Sequence, residues 1–157
     1  MAVRKLRVND DPILRKKSKT VSEINDSILN LINDMRDTLN KEQGVGLAAV
    51  QVGSLRRVIL VQPDEEIEAR VLINPEIIEE SGCEIGTEGC LSIPGKHGNV
   101  KRPTKIRVKA MDINSEQIDF YAEEFEARII CHEVDHTNGI LYTDKIYNHE
   151  LYEESKE

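Results

Sequence analysis

Tryptophan is absent from this 157-residue chain, which holds only two Phe and four Tyr. Aliphatic side chains must therefore fill most of the core, and a chain of this length is long enough to bury one. No apolar run approaches the ~18 residues needed to cross a bilayer, so no membrane span is expected. The opening MAVRKLRVNDDP carries basic residues with no apolar stretch behind them, which argues against a secretory signal. Cysteine is scarce: Cys83, Cys90 and Cys131 are odd in number and lack the spacing of a disulfide framework. A reducing cytoplasm suits such thiols and leaves each free to act as a ligand. Positive charge is in deficit, with 21 Lys and Arg against 29 Asp and Glu, a net −8. General nucleic-acid binding, and DNA binding in particular, needs a basic footprint and is excluded. One local exception runs from Arg4 to Lys19, where seven basic residues outnumber Asp10 and Asp11. Its plain reading is a solvated face.

What is present is periodic. From Ile24 the apolar residues Ile28, Leu31, Ile32, Met35 and Leu39 recur at the spacing of an amphipathic helix. Ser22 or Asn25 can cap its start, and Gly44 is placed to end it. The next stretch, GVGLAAVQVG at 44–53, is too glycine-rich for a helix and too apolar for an exposed loop. Such a segment lets another backbone come close. Arg57–Val61, Arg70–Ile78, Lys105–Met111 and Gln117–Tyr121 are short, β-branched and separated by Pro or Gly breaks, and read as antiparallel strands. A second helix fits Glu123–Asn138, with Gly139 just past its end. Thr143 or Asp144 can open a short last helix carrying Tyr147 and Leu151. This order predicts a single compact α+β domain over residues 1–157, with antiparallel sheets around a central helix.

That helix carries His132-Glu133-Val134-Asp135-His136, an HExxH pattern. Two histidines four apart lie on one helical face, so both imidazoles can reach one metal, and Glu133 can contact its water without being a ligand. Phe125, Ile129, His132 and His136 share a stripe, which turns the histidines inward. A catalytic site needs a third protein ligand and an open position. Tyr142 stands where one group of zinc proteases places a third histidine, so that pattern fails. Glu153 and Glu154 remain as later carboxylates, in a tail prone to fray. The better candidate is Cys90 in Glu88-Gly89-Cys90-Leu91-Ser92, because a thiolate suits a borderline metal. A metal-binding regulatory or structural protein is the competing class, with Cys83 or Cys131 closing the fourth position. Cys131, next to His132, points about 100° away around the helix.

Three segments, GVGLAAVQ at 44–51, EGCLS at 88–92 and HEVDH at 132–136, closely resemble in order and spacing the signature motifs of peptide deformylases. The early DDPILRKKSKTV looks like that family's opening, so the resemblance covers nearly the whole chain. It implies Cys90, His132 and His136 as metal ligands and Glu133 as the catalytic acid and base. It implies that the Gln51 amide and the Leu91 backbone N–H polarise the formyl oxygen, and that Gly46 contacts the substrate backbone. Val45, Phe125 and Ile129 are the expected walls of an apolar pocket for methionine. The implied reaction is metal-dependent hydrolysis of the formyl group from formyl-methionyl nascent chains, releasing formate in the cytoplasm. Cysteine and two histidines suit zinc; the resemblance implies Fe2+ instead, with Zn2+, Ni2+ or Co2+ as replacements. Val50 stands for the commoner Pro, Cys131 for Gln, and His97 lies where many members have an arginine near the substrate entrance. From Asn148 to Glu157 four glutamates face Lys156 alone. Any ribosome contact is therefore expected to be weak and to use the basic segment from Arg4 to Lys19, not the acidic tail.

Overall fold

Two helices, eight strands and three short 3-10 turns make up the described part of the chain. The computed structural model describes residues 2–153, and the surroundings of side chains as far as residue 148. Helix α1, Asp26–Glu42, begins where Asn25 accepts a hydrogen bond from the Ile28 N–H. It ends on Gln43, which takes the left-handed conformation at φ 53°. The expected stop at Gly44 thus falls one residue earlier. Strand β1 is Gly46–Ala48, β2 Val58–Val61, β3 Arg70–Ser81, β4 Glu84–Cys90, β5 Ile93–Arg102, β6 Lys105–Met111 and β7 Gln117–Glu123. Helix α2, Glu124–Thr137, follows directly, with Gly139 in the left-handed region beyond it.

The strands form two antiparallel sheets, one ordered β1-β2-β3-β6-β7 and one ordered β4-β5-β8, where β8 is Ile146–Glu153. Every residue of β2 is buried, because the larger sheet is covered on both faces. Val58 and Leu60 pack with Ile28, Leu31, Ile32, Met35 and Leu39 of α1. Ile59 and Val61 pack with Ala127, Ile129, Ile130 and Val134 of α2. Each large side chain so buried contributes about 1.5–3 kcal/mol. A third cluster, Leu14, Ile93, Val100, Leu141 and Tyr142, lies under the smaller sheet.

One expectation is corrected. The last element is a strand, β8, Ile146–Glu153, not a helix. A helix of that length is marginal by itself, whereas β5 offers partners at Gly98 for Leu151 and at His97 for Tyr152. Tyr147 is exposed, and the side chain of Leu151 lies outside the described residues. Strands β4 and β5 also carry no clear strand signal, since four glycines and Pro94 interrupt them.

Candidate metal and substrate site

Strand β4 ends at Cys90, and α2 presents His132 and His136 toward it. One donor atom from each of the three lies within 4.8 Å of the others. The Cys90 Sγ and His136 Nε2 are 3.3 Å apart, close to what two atoms bonded to one ion at about 2.0–2.3 Å would take. Sulfur and imidazole nitrogen are the donor chemistry of a borderline divalent metal, so the residues fit the ion the resemblance implies. Cys83 is exposed and Cys131 is buried elsewhere, its thiol pushed up to about 12 mainly by burial. Neither joins the cluster. The side chains of Glu153 and Glu154 lie outside the described residues.

His132 donates from Nδ1 to the Glu88 Oε1 at 2.9 Å, which turns its Nε2 toward the cluster. Burial pulls the His132 pKa down, but bonds to Cys90 and Glu88 outweigh it and hold it well above the usual value. His136 is fully buried, its Nδ1 has no partner among the described residues, and burial depresses its pKa. Tyr142 stacks on the His132 ring at 6.0 Å.

Glu133 is 4% exposed, and its Oε1 is buried with no hydrogen-bond partner among the described residues. Burial is the main reason its carboxyl is pushed up to about 7, with the charges of Glu88 and Asp135 adding to it. Gly46 explains how the carboxyl fits. A Cβ at that glycine would lie 2.6 Å from the Glu133 Oε2 and 2.8 Å from the Ile129 Cγ2. The backbone of β1 therefore runs against α2 only because no side chain intervenes. Gln51 is buried in the 3-10 turn after β1, where its Oε1 accepts from the Ala48 N–H at 2.9 Å. This aims the amide Nε2 at Ser92 Oγ (3.1 Å) and Cys90 Sγ (3.6 Å).

Gly46, Gln51, Cys90, His132 and Glu133 line a cleft of about 480 Å³, whose walls include Val45, Leu91, Phe125 and Ile129. Ile129 is buried, but Phe125 is 51% and Val45 42% exposed. The Phe125 end of the helical stripe is thus an open lip and not core. Lys96, not His97, lines the cleft on the β5 side.

Sequence reasoning named Glu88 within its motif and gave it no role. It is almost fully buried and accepts from Arg102 Nε at 2.8 Å, Arg102 Nη2 at 2.9 Å and Arg128 Nη1 at 2.7 Å. Burial would raise its pKa, yet Arg102 and His132 hold it well below the carboxylate range. Arg102 reaches on to Asp135 at 2.6 Å, which Lys145 also contacts at 3.0 Å. Asp135, whose role the sequence left open, is a partner in this network. The available signal was an acidic residue two positions before Cys90 in an otherwise uncharged run, Gly89-Cys90-Leu91-Ser92.

Donors suited to a metal, beside a buried carboxyl whose Oε1 has no partner among the described residues, opening on a cleft, are the equipment of a metal-dependent hydrolase. The polypeptide deformylase family model matches residues 3–151. A peptide deformylase of Clostridium perfringens is 50% identical over 151 residues, covering 96% of this chain and all of the relative. The crystal structure of a peptide deformylase from Thermotoga maritima superposes with a TM-score of 0.90 at 35% identity, covering 94% of this chain and 99% of that one. A Met-Ala-Ser-bound peptide deformylase from Acinetobacter baumannii superposes at 0.87, also at 35% identity, covering 92% and 99%. This chain belongs to the polypeptide deformylase family, metal-dependent hydrolases that remove the N-formyl group from nascent peptides.

Proposed function

We propose that Cys90, His132 and His136 hold the metal and that Glu133 moves the protons of deformylation. The observation that carries this reading is the buried Glu133 carboxyl, whose Oε1 has no partner among the described residues, beside the converging donor atoms. A divalent ion held there supplies a Lewis acid and a water acidified from 15.7 toward ~7. Glu133 accepts the proton of the attacking water and returns it to the leaving amine as formate departs. Negative charge develops on the formyl oxygen, where the Gln51 amide and the Leu91 N–H donate. Each such donor is worth about 3 kcal/mol, roughly a hundredfold in rate.

The substrate backbone pairs with β1, an edge strand of its sheet, at Gly46. Val45, Phe125 and Ile129 wall the methionine side chain, with Phe125 free to close over it from the lip. The Met-Ala-Ser bound by the Acinetobacter baumannii relative supports a methionyl peptide as the ligand of this cleft. The ion is Fe2+, which Zn2+, Ni2+ or Co2+ can replace, and the enzyme works in a reducing cytoplasm that keeps its thiols free. Ribosome contact is weak and uses exposed Lys16, Lys17 and Lys19, with Arg56 bridged to Lys19, rather than the acidic tail. Charge reversal of the three lysines should abolish co-sedimentation with ribosomes at low salt, and unchanged co-sedimentation would refute that route.

The deciding experiment is formate release from formyl-Met-Ala-Ser by the metal-loaded protein, beside the Glu133→Ala variant with its metal content measured. A variant that keeps both its metal and its turnover would overturn the assignment of Glu133.

A further inference from the structure

The candidate ligands straddle a seam. His132 and His136 stand on α2, whose apolar side chains pack into the large sheet. Cys90 ends β4 and packs with the separate cluster under the small sheet. Ile13 packs against both clusters and Tyr142 stacks on His132, but the spacing of sulfur and imidazoles also depends on the polar contacts that cross between them.

Arg128 crosses it. It lies one turn before His132 on α2, with its side chain 13% exposed. Its Nη1 donates to Glu88 Oε2 at 2.7 Å and to the Val100 carbonyl of β5 at 3.0 Å. Its Nη2 donates to the Glu84 carbonyl of β4 at 3.0 Å. One guanidinium from the histidine-bearing helix thus grips both strands of the cysteine-bearing hairpin. It also grips the carboxylate that orients His132. Gly86 makes the space: a Cβ there would sit 2.9 Å from the Arg128 Cζ. Planar geometry with donors in a fixed fork lets arginine hold several acceptors at once, which lysine cannot reproduce.

We propose that Arg128 is a positioning residue that sets the distance between Cys90 and the two histidines, and thereby how tightly the metal is held. This rests on the reading of Cys90, His132 and His136 as ligands. Outer partners of metal ligands typically govern affinity by 10- to 100-fold. Arg128→Met keeps the length and removes the grip, while Gly86→Ala leaves every charge in place and wedges against the guanidinium.

The test loads wild type, Arg128→Met, Arg128→Lys, Gly86→Ala, the Gly86→Ala/Arg128→Met double variant and Cys90→Ala with Co2+. It follows the sulfur-to-cobalt absorption and the rate of metal loss to a chelator, with circular dichroism confirming the fold. Arg128→Met should release metal about tenfold faster with a shifted absorption band, and Arg128→Lys should recover only part of this. Gly86→Ala should speed release in the wild-type background and add little to Arg128→Met, because both act through one side chain. Release within twofold of wild type in folded Arg128→Met, or additive effects in the double variant, would overturn the proposal. If Arg128→Met does not fold, Gly86→Ala and Arg128→Lys decide it: unchanged release in both overturns it. Retention of metal and of the sulfur band by Cys90→Ala would instead overturn the ligand assignment.

Discussion

Replacing Gly46 by Ala adds one methyl group where β1 runs against α2. The new Cβ would stand 2.6 Å from the Glu133 Oε2, whereas ordinary contact begins near 3.4 Å. Either the carboxyl or the strand must yield by about 0.8 Å, and Ile129 Cγ2 at 2.8 Å closes one direction of escape. Overpacking of this kind costs about 1–3 kcal/mol, and at this size each kcal/mol lowers Tm by about 2–4 °C. The effect on turnover should be larger, since a misplacement near 1 Å can cost about a hundredfold. The assay is steady-state formate release from formyl-Met-Ala-Ser, with Tm by calorimetry and metal content measured on the same preparations. Metal content should hold, because no proposed ligand is touched. A kcat within about threefold of wild type, with Tm lowered by less than about 1 °C, would show that the glycine is not what clears room for Glu133.

Glu133→Ala should retain its metal and lose at least about a hundredfold in kcat, the usual contribution of a general acid and base; residual activity above a tenth would reassign the role. Cys90→Ala should lose metal and activity together while Cys83→Ala loses neither, and the reverse pattern in metal analysis would move the third ligand. Glu88→Gln leaves two buried guanidinium groups short of a carboxylate, a break that costs about 3–5 kcal/mol. Because the folded-state pKa of Glu88 is depressed, that stability gap should be complete above the ordinary value of 4.5 and narrow as pH falls below it; a gap that widens in acid denaturation curves would contradict the network. Protein prepared anaerobically should exceed an aerobic preparation in specific activity, since a ferrous centre with a thiolate ligand is open to oxidation; equal activity with stoichiometric zinc would refute the iron assignment.

Local pattern was legible wherever one element answered to one rule. The stripe from Ile28 to Leu39 and the Asn25 cap specify α1, because period and cap are properties of contiguous residues. The run at Val58–Val61 reads as a strand, although only the structure shows that its alternate residues serve different helices. The donor set was readable from motif and resemblance together, and the described residues bring all three donors to one place. Strands β4, β5 and β8 were not readable: their glycines and charges are poor strand formers, and they exist as strands because they find one another. The Glu88 network was hidden for the same reason, since Arg102, Arg128 and Asp135 are joined by folding and by no spacing rule.

The separation of the donors along the chain has a consequence for the order of events in synthesis. Cys90 and His136 meet although they lie 46 positions apart in the chain. Contacts so distant in sequence are rewarded only after the loop between them has been closed. A growing chain therefore displays its thiol well before the imidazoles that complete the site exist. On the proposed ligand set, metal capture must wait for His136, and a molecule that frees other newborn chains of their formyl group cannot act before that residue is made.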